Sequence, residues 1–279
     1  MINSSGATRL LAQEARALLM RLGRLKPFSL QMPMVLAATV PPAAQAAMEG
    51  HMIRTRGRLR AMVLDYIRRL RGPGGHPMRP DAAQRRFALL RLLFNAVISQ
   101  FEIFAEVLTQ RCQHETGVWI AGLDDLAADA LVLPGGFYNP PPVICYLDRS
   151  LGAAIRRART RLPGGSQSPV AIISVPRERM VGSGIASSLV HEVGHQGAAL
   201  LGLVNSLRPE ILDVGRRRCC HQRLAWHLWD RWIGEIVADF WSVAKLGIGA
   251  TRGVMNMVSL PRAFMFRLDG QDPHPTPKN

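Results

Sequence analysis

The spacing of apolar residues along the chain predicts a mainly helical protein. In several stretches, leucine, phenylalanine and other apolar residues recur every three or four positions, which is the repeat of a helix that buries one face. These stretches are 7–26, 80–112 and 183–203. Two more helices are predicted at 41–70, which Pro41-Pro42 opens, and at 222–246, which is apolar on most sides. A shorter helix is predicted near 124–131, and the arginine-rich segment 150–161 is also compatible with a helix. Proline and glycine cluster between the stretches and predict loops there.

Two short apolar runs predict strands. Residues 143–147 and 170–175 are each too short for a helix and are rich in β-branched or aromatic residues. The second run lies shortly before the helical stretch 183–203. Together these elements predict an α+β fold, mainly α, in which a helical bundle carries a small sheet beside that helix. We expect an N-terminal helical region at 1–75 and a C-terminal region at 76–279, either as separate domains or as one compact unit.

The stretch 183–203 contains the pentapeptide His191-Glu192-Val193-Gly194-His195, which has the form H-E-x-x-H. Residues four apart lie on the same face of a helix, so His191 and His195 place two imidazoles side by side. Such a pair suits zinc, which binds nitrogen ligands in a tetrahedral arrangement. Glu192 lies about 100° further round the helix, where it can take a proton from a water on the metal. The motif predicts a zinc site with Glu192 as general base, although it also arises by chance in helices without a metal.

A second motif lies in the helical stretch 222–246. Glu235 and Asp239 are four residues apart and share a face, and large apolar residues surround them. A carboxylate in such an apolar helix is costly to bury without a partner. A zinc site supplies that partner: Glu235 completes a His-His-Glu ligand set with a fourth position open to water, and Asp239 accepts the free ring N–H of a ligand histidine. The alternative is that both carboxylates pair with arginines, which are abundant in this chain.

The two motifs resemble those of the gluzincin branch of zinc metallopeptidases, the thermolysin-like zincins. The resemblance implies a zincin-like catalytic domain in which Zn2+ is held by His191, His195 and Glu235, with Asp239 behind His191. It implies that Glu192 serves as the base in hydrolysis of a peptide or protein substrate. It also implies that the strand before the H-E-x-x-H helix borders the cleft and pairs with that substrate.

The resemblance covers about residues 170–247 and departs from the family pattern in two respects. The interval between His195 and Glu235 is longer than in thermolysin-like enzymes, so a loop is expected between the two helices. The downstream histidine and tyrosine that stabilise the oxyanion in those enzymes are not found in the sequence. The metzincin variant is excluded, because Ala198 and Leu201 stand where that motif requires glycine and histidine.

The charge of the chain extends the range of expected partners. Its 35 lysines and arginines outnumber its 20 aspartates and glutamates and give a net charge of +15. The stretch 41–70 is the most basic and carries Arg54, Arg56, Arg58, Arg60, Arg68 and Arg69. This arginine-rich surface favours an anionic partner, although a solvated basic face with no specific ligand accounts for it as well. Aromatic residues make up only 6% of the chain, which argues against platforms for stacking bases.

Cysteine usage and hydropathy bear on location. The four cysteines form no C-x-x-C pair, which is typical of a protein in a reducing compartment. No run of 18 or more apolar residues is present, so no membrane span is expected. The apolar segment 32–47 ends in an A-x-A-like sequence, but Pro41-Pro42 interrupts it, and we expect a linker there rather than a signal peptide. A cytoplasmic location is predicted, with export left open.

The sequence therefore supports one main hypothesis and two alternatives. The main hypothesis is a zinc-dependent metallopeptidase. The first alternative is a zinc hydrolase with a non-peptide substrate. The second is a non-enzymatic arginine-rich protein that binds nucleic acid or anionic surfaces without zinc. Both zinc hypotheses require the donor atoms of His191, His195 and Glu235 to converge within a few ångströms.

Overall fold

The computed structural model describes residues 4–70, 72, 78–149, 153–177 and 184–258. The described helices are α1 (Ser4–Arg24), α2 (Phe28–Gln31), α3 (Pro42–Leu70), α4 (Pro80–Thr109), α5 (His114–Leu131), α6 (Gly184–Leu201), α7 (Leu203–Arg216), α8 (Cys220–Leu246) and α9 (Ile248–Val258). The described strands are β1 (Val143–Asp148), β2 (Ala154–Arg156) and β3 (Ala171–Pro176). The predicted α+β fold, mainly helical with a small sheet, is confirmed.

The chain divides into two compact units. Among the described residues, the first unit contains α1 to α4 and the loop 159–169. The second contains most of α5, the sheet and α6 to α9. The predicted boundary after residue 75 falls between α3 and α4, within the first unit. The division into an N-terminal region at 1–75 and a C-terminal region at 76–279 stays a prediction.

Helices α1, α3 and α4 pack against one another in the first unit. Each buries an apolar face, with Leu22, Met48 and Phe104 fully enclosed. Tyr66 of α3 is also buried, and its hydroxyl donates a hydrogen bond of 3.0 Å to the carbonyl of Ala83 on α4. Burial raises the pKa of Tyr66 to about 12. This buried bond joins α3 to α4. The arginines of α3 that are exposed are Arg54, Arg58, Arg60, Arg68 and Arg69.

Helix α4 with the turn that follows it, residues 80–112, is long and apolar enough to cross a membrane by length and composition. Its most apolar window is 33% buried within the protein, and Leu89 and Leu92 are exposed. Core helices of soluble proteins pass the same test of length and hydropathy. The expectation that the chain has no membrane span therefore stays a prediction.

The sheet of the second unit has the order β1-β3-β2, with β3 parallel to β1 and antiparallel to β2. Every residue of β3 is buried, and Ile173 of this strand shares an apolar core with Val190 of α6 and Trp241 of α8. The expectation that the strand before α6 pairs with a substrate is wrong, because its two neighbours occupy both of its edges. Strand β2 lies at an edge of the sheet instead.

Strand β2 also corrects the helix that was considered for 150–161. In the described part of that segment, Ala154 and Arg156 pair with Ser174 and Ile172 of β3. Arg156 therefore lies in an edge strand rather than in a helix, and its side chain is exposed. Charged residues are common on such edges because they discourage pairing with other chains.

The loop expected between the two motif helices is largely a helix. Helix α7 occupies 203–216 and packs against α8, although Pro209 lies inside it. Proline removes one backbone hydrogen bond and normally breaks a helix. Ile211 nevertheless packs against an apolar cluster of Ala198, Ile233 and Val237, and tertiary packing of this kind decides most helices in proteins.

Candidate metal centre

Helix α6 presents His191 and His195 side by side, as the spacing predicted. Their ring centroids are 4.8 Å apart and the ring planes are nearly perpendicular, at 89°. Their side chains are 15% and 21% exposed, so solvent or a small ligand can reach them. Leu189, Val190 and Val193 of the same helix are fully buried and fix its orientation against the core.

Helix α8 brings Glu235 to both imidazoles. Its Oε2 atom lies 3.2 Å from His191 Nε2 and 3.4 Å from His195 Nε2. The three potential ligand atoms all lie within 4.8 Å of one another. Two ligand atoms that each lie about 2.1 Å from a tetrahedral zinc ion are separated by about 3.4 Å. The carboxylate is therefore as far from each imidazole as a shared zinc ion requires.

Two glycines allow α6 and α8 to approach so closely. A Cβ atom at Gly194 would lie 2.9 Å from the backbone of Ala238 and from Cβ of Trp241. A Cβ atom at Gly197 would meet the indole ring of Trp241. That indole is itself fixed, because it is buried and its N–H donates a hydrogen bond of 3.0 Å to the carbonyl of Ala130. Glycine at these positions is thus required by the helix contact that holds Glu235 over the histidines.

Asp239 lies behind His191, as the resemblance to gluzincins implied. Its Oδ1 atom is 2.7 Å from His191 Nδ1, so the ring donates its Nδ1 hydrogen to the carboxylate. In the neutral imidazole, Nε2 is then an acceptor that faces the Glu235 oxygen. Two acceptors 3.2 Å apart repel each other unless a proton or a cation lies between them. Both a protonated His191 and a bound metal ion satisfy this requirement.

The titration of His191 reflects the same arrangement. Burial lowers the pKa of His191, but the hydrogen bonds to Asp239 and Glu235 and the charges of Asp239 and Glu192 outweigh burial and raise this pKa to about 9. In the metal-free protein, a proton therefore takes the place of a cation between the ring and Glu235. A metal ion at this position must displace that proton.

Glu192 follows His191 on α6 and is half-buried. Its negative charge is the last-ranked of the causes that raise the pKa of His191, the residue that precedes it on α6. The structure thus groups this predicted base with the three predicted ligands and Asp239 in the second unit.

The sequence did not identify the residues that support the site. Gln196 is buried next to His195, and its Oε1 accepts a hydrogen bond of 2.8 Å from the backbone N–H of Ala158, just beyond β2. Ser187 donates to the carbonyl of Ala250 and accepts from the hydroxyl of Ser242 through its own carbonyl, which ties α6 to α8 and α9. The signal available in the sequence was the presence of two polar side chains, Ser187 and Gln196, among the apolar residues of the helix, since buried polar side chains need hydrogen-bond partners.

No family model, curated protein or solved structure matches this chain in the comparisons with known proteins.

Proposed function

We propose that the protein is a zinc-dependent hydrolase that cleaves peptide bonds. The observation that carries this proposal is the convergence of His191 Nε2, His195 Nε2 and Glu235 Oε2, with the carboxylate oxygen 3.2 and 3.4 Å from the two nitrogens. Two imidazoles and one carboxylate are a ligand set that leaves the fourth position of a tetrahedral zinc ion open. Such an open position is typical of catalytic rather than structural zinc sites.

Each side chain of the site has a separate task in this proposal. His191, His195 and Glu235 hold the metal, and Asp239 keeps His191 in the tautomer whose Nε2 is free to bind it. Zinc, when bound, lowers the pKa of a coordinated water and polarises a carbonyl group. Glu192 accepts the proton of the attacking water and passes it to the leaving amine, so that the C–N bond breaks and a neutral amine departs.

The proposal of a peptide substrate is supported by the edge strand β2. This strand contacts α6 and has β3 on one side only, so its other edge has backbone groups that are not part of the described sheet. An extended peptide can add to such an edge through main-chain hydrogen bonds. In this proposal β2, rather than the strand before α6, pairs with the extended substrate.

The test is hydrolysis of a mixed peptide library by the zinc-loaded protein, beside two matched variants. Glu192→Gln removes the base and leaves the three ligands in place, so it should retain zinc and lose at least about 100-fold in rate. Glu235→Gln should lose both zinc and activity. Ester or amidohydrolase activity on small molecules without peptide cleavage would instead favour a non-peptide substrate. Equal cleavage by wild type and Glu192→Gln would contradict the proposal.

A further inference from the structure

A cavity of about 430 Å³ lies within the first unit and has no part in the proposed metal centre. It is lined by one face of α3, one face of α4 and the loop 164–167. Its volume falls within the range of about 300–1,000 Å³ that is usual for small-molecule sites. Apolar side chains form much of its wall, with Leu59 and Val97 buried and Leu93 half-buried.

Buried polar groups build one side of this cavity. The His51 ring nitrogen Nε2 lies 2.9 Å from Gln100 Oε1, and both side chains are buried. The amide nitrogen of Gln100 donates to the Ser166 hydroxyl at 3.0 Å and to the carbonyl of Pro163. Because the amide nitrogen donates to the loop, Gln100 Oε1 must accept from His51. This chain of hydrogen bonds connects the loop to both helices and fixes the shape of the cavity.

The loop is shaped to close against α4. Gly164 and Gly165 have φ angles of +84° and +87°, in the region that favours glycine. A Cβ atom at Gly164 would come within 2.9 Å of Cβ of Ala96, so only glycine allows this close approach. The cavity is therefore bounded by a defined loop conformation rather than by an irregular surface groove.

Positive charge lines the cavity without any negative charge. Arg54 and Arg58 are exposed, lie four residues apart on α3 and both contribute to the lining, which includes no aspartate or glutamate among the described residues. Neither arginine forms an ion pair or a side-chain hydrogen bond with another described residue. By contrast, Arg69 on the same helix pairs with Asp65 at 2.8 Å. Like charges four apart on a helix repel each other, and an anion between them relieves that repulsion.

We infer that this cavity binds a small organic anion with a carboxylate head and an apolar body. The carboxylate lies between the guanidinium groups of Arg54 and Arg58, which match it in planar geometry and charge. The apolar body lies over the buried wall of Leu59 and Val97 and removes from water the half-buried Leu93 and the exposed Met62, which also line the cavity. This inference rests on the first unit alone and does not depend on the proposed hydrolase activity.

The test is calorimetric titration of the full chain with decanoate, a straight-chain carboxylate that has the required head and body. We expect one decanoate to bind per chain, and Arg54→Gln with Arg58→Gln to weaken its binding at least tenfold. The control is Arg60→Gln with Arg68→Gln, which makes the same change of charge at exposed positions of α3 outside the cavity lining. The control pair should change the affinity less than twofold. If decanoate were held only by general attraction to a basic helix, the two pairs of substitutions would weaken its binding equally.

Three further titrations distinguish this cavity from binding through the apolar chain alone and from binding at the metal centre. Decanol, the uncharged analogue, should bind at least tenfold more weakly than decanoate. Thr55→Trp, which places a large ring at the cavity lining, should abolish binding, with retention of the fold checked by circular dichroism. A carboxylate can also bind a metal ion, so Glu235→Ala serves as the control for the metal centre. It should leave decanoate binding unchanged, because Glu235 lies outside the cavity lining. Equal weakening by the two arginine pairs, equal affinity for decanol, loss of binding in Glu235→Ala or no binding by wild type would each overturn the inference.

Discussion

Replacing Gly194 by alanine tests whether the close contact of α6 and α8 positions the metal ligands. The new Cβ atom would lie 2.9 Å from Cα and the carbonyl oxygen of Ala238 and from Cβ of Trp241. Carbon atoms in normal contact are about 3.5–4.0 Å apart, so the helices must separate by at least about 0.6 Å. The obstructing atoms are mostly backbone, so a side-chain rotation cannot relieve the clash.

The displacement is large on the scale of a metal–ligand bond. Moving Glu235 by about 0.6 Å lengthens a zinc–oxygen distance of about 2.1 Å to about 2.7 Å, which is no longer a bond. Zinc affinity should fall by about 100-fold, at the upper end of the effect of disturbing the residues behind a ligand. The free energy of unfolding of the metal-free protein should fall by about 0–2 kcal/mol, because an overpacking cost of about 1–3 kcal/mol is partly offset by the better helix propensity of alanine.

Gly234 provides the matched control for this substitution. It precedes Glu235 on α8, and a Cβ atom there meets no other atom within 4 Å. Gly234→Ala should therefore raise the free energy of unfolding by about 1 kcal/mol and leave zinc affinity unchanged. Zinc affinity is measured by competition with a chromophoric chelator, and stability by urea unfolding after chelation. A folded Gly194→Ala variant that binds zinc as tightly as wild type would show that the close contact of α6 and α8 does not position Glu235.

Three further predictions concern the residues around the site. In metal-free protein the pKa of His191 is raised from 6.5 to about 9 by folding, so its contribution to the free energy of unfolding, about 3 kcal/mol, is complete below pH 6.5 and is lost as pH rises through 9. Zinc affinity should rise with pH over the same window, because His191 must lose its proton to bind the metal. Stability is measured by urea unfolding and zinc affinity by chelator competition, both between pH 6 and 10. A free energy of unfolding and a zinc affinity that do not change with pH would contradict this prediction. Asp239→Asn should lower zinc affinity about 10–100-fold, measured by the same competition, since the amide is a weaker acceptor for the Nδ1 hydrogen of His191; an unchanged affinity would show that Asp239 does not orient the ring. Trp241→Phe should lower the free energy of unfolding by about 1–3 kcal/mol, because the carbonyl of Ala130 loses its buried indole donor, and no loss of stability in urea would contradict this.

The site could be predicted from the sequence as far as helical geometry reaches. The four-residue spacings of His191 with His195 and of Glu235 with Asp239 fix which side chains share a face within one helix. That the two faces meet is a property of tertiary structure, and no local pattern spans the interval between them. Gly194 is a variable position of the motif and Gly197 lies beyond it, so the pattern gives neither glycine a role, although a side chain at either would clash with α8.

The parts of the fold that sequence reasoning missed are those decided by partners distant in the chain. The buried run 170–175 fits either an edge or a central strand, because its own pattern does not say how many neighbours it has. Pro209 is a local signal against a helix, but packing of α7 on α8 outweighs it. Arg156 lies in an edge strand that exists because of its pairing with β3. By contrast, α4 follows its long apolar stripe closely, since periodicity over many turns leaves little alternative.

The metal centre is tested by measuring the zinc content of the purified, zinc-loaded and dialysed chain by mass spectrometry, beside the variants His195→Ala and Glu235→Ala. We expect about one zinc per chain in wild type and little or none in either variant, with all three proteins folded by circular dichroism. A wild-type chain without zinc, or variants that retain as much zinc as wild type, would contradict a metal centre built from His191, His195 and Glu235.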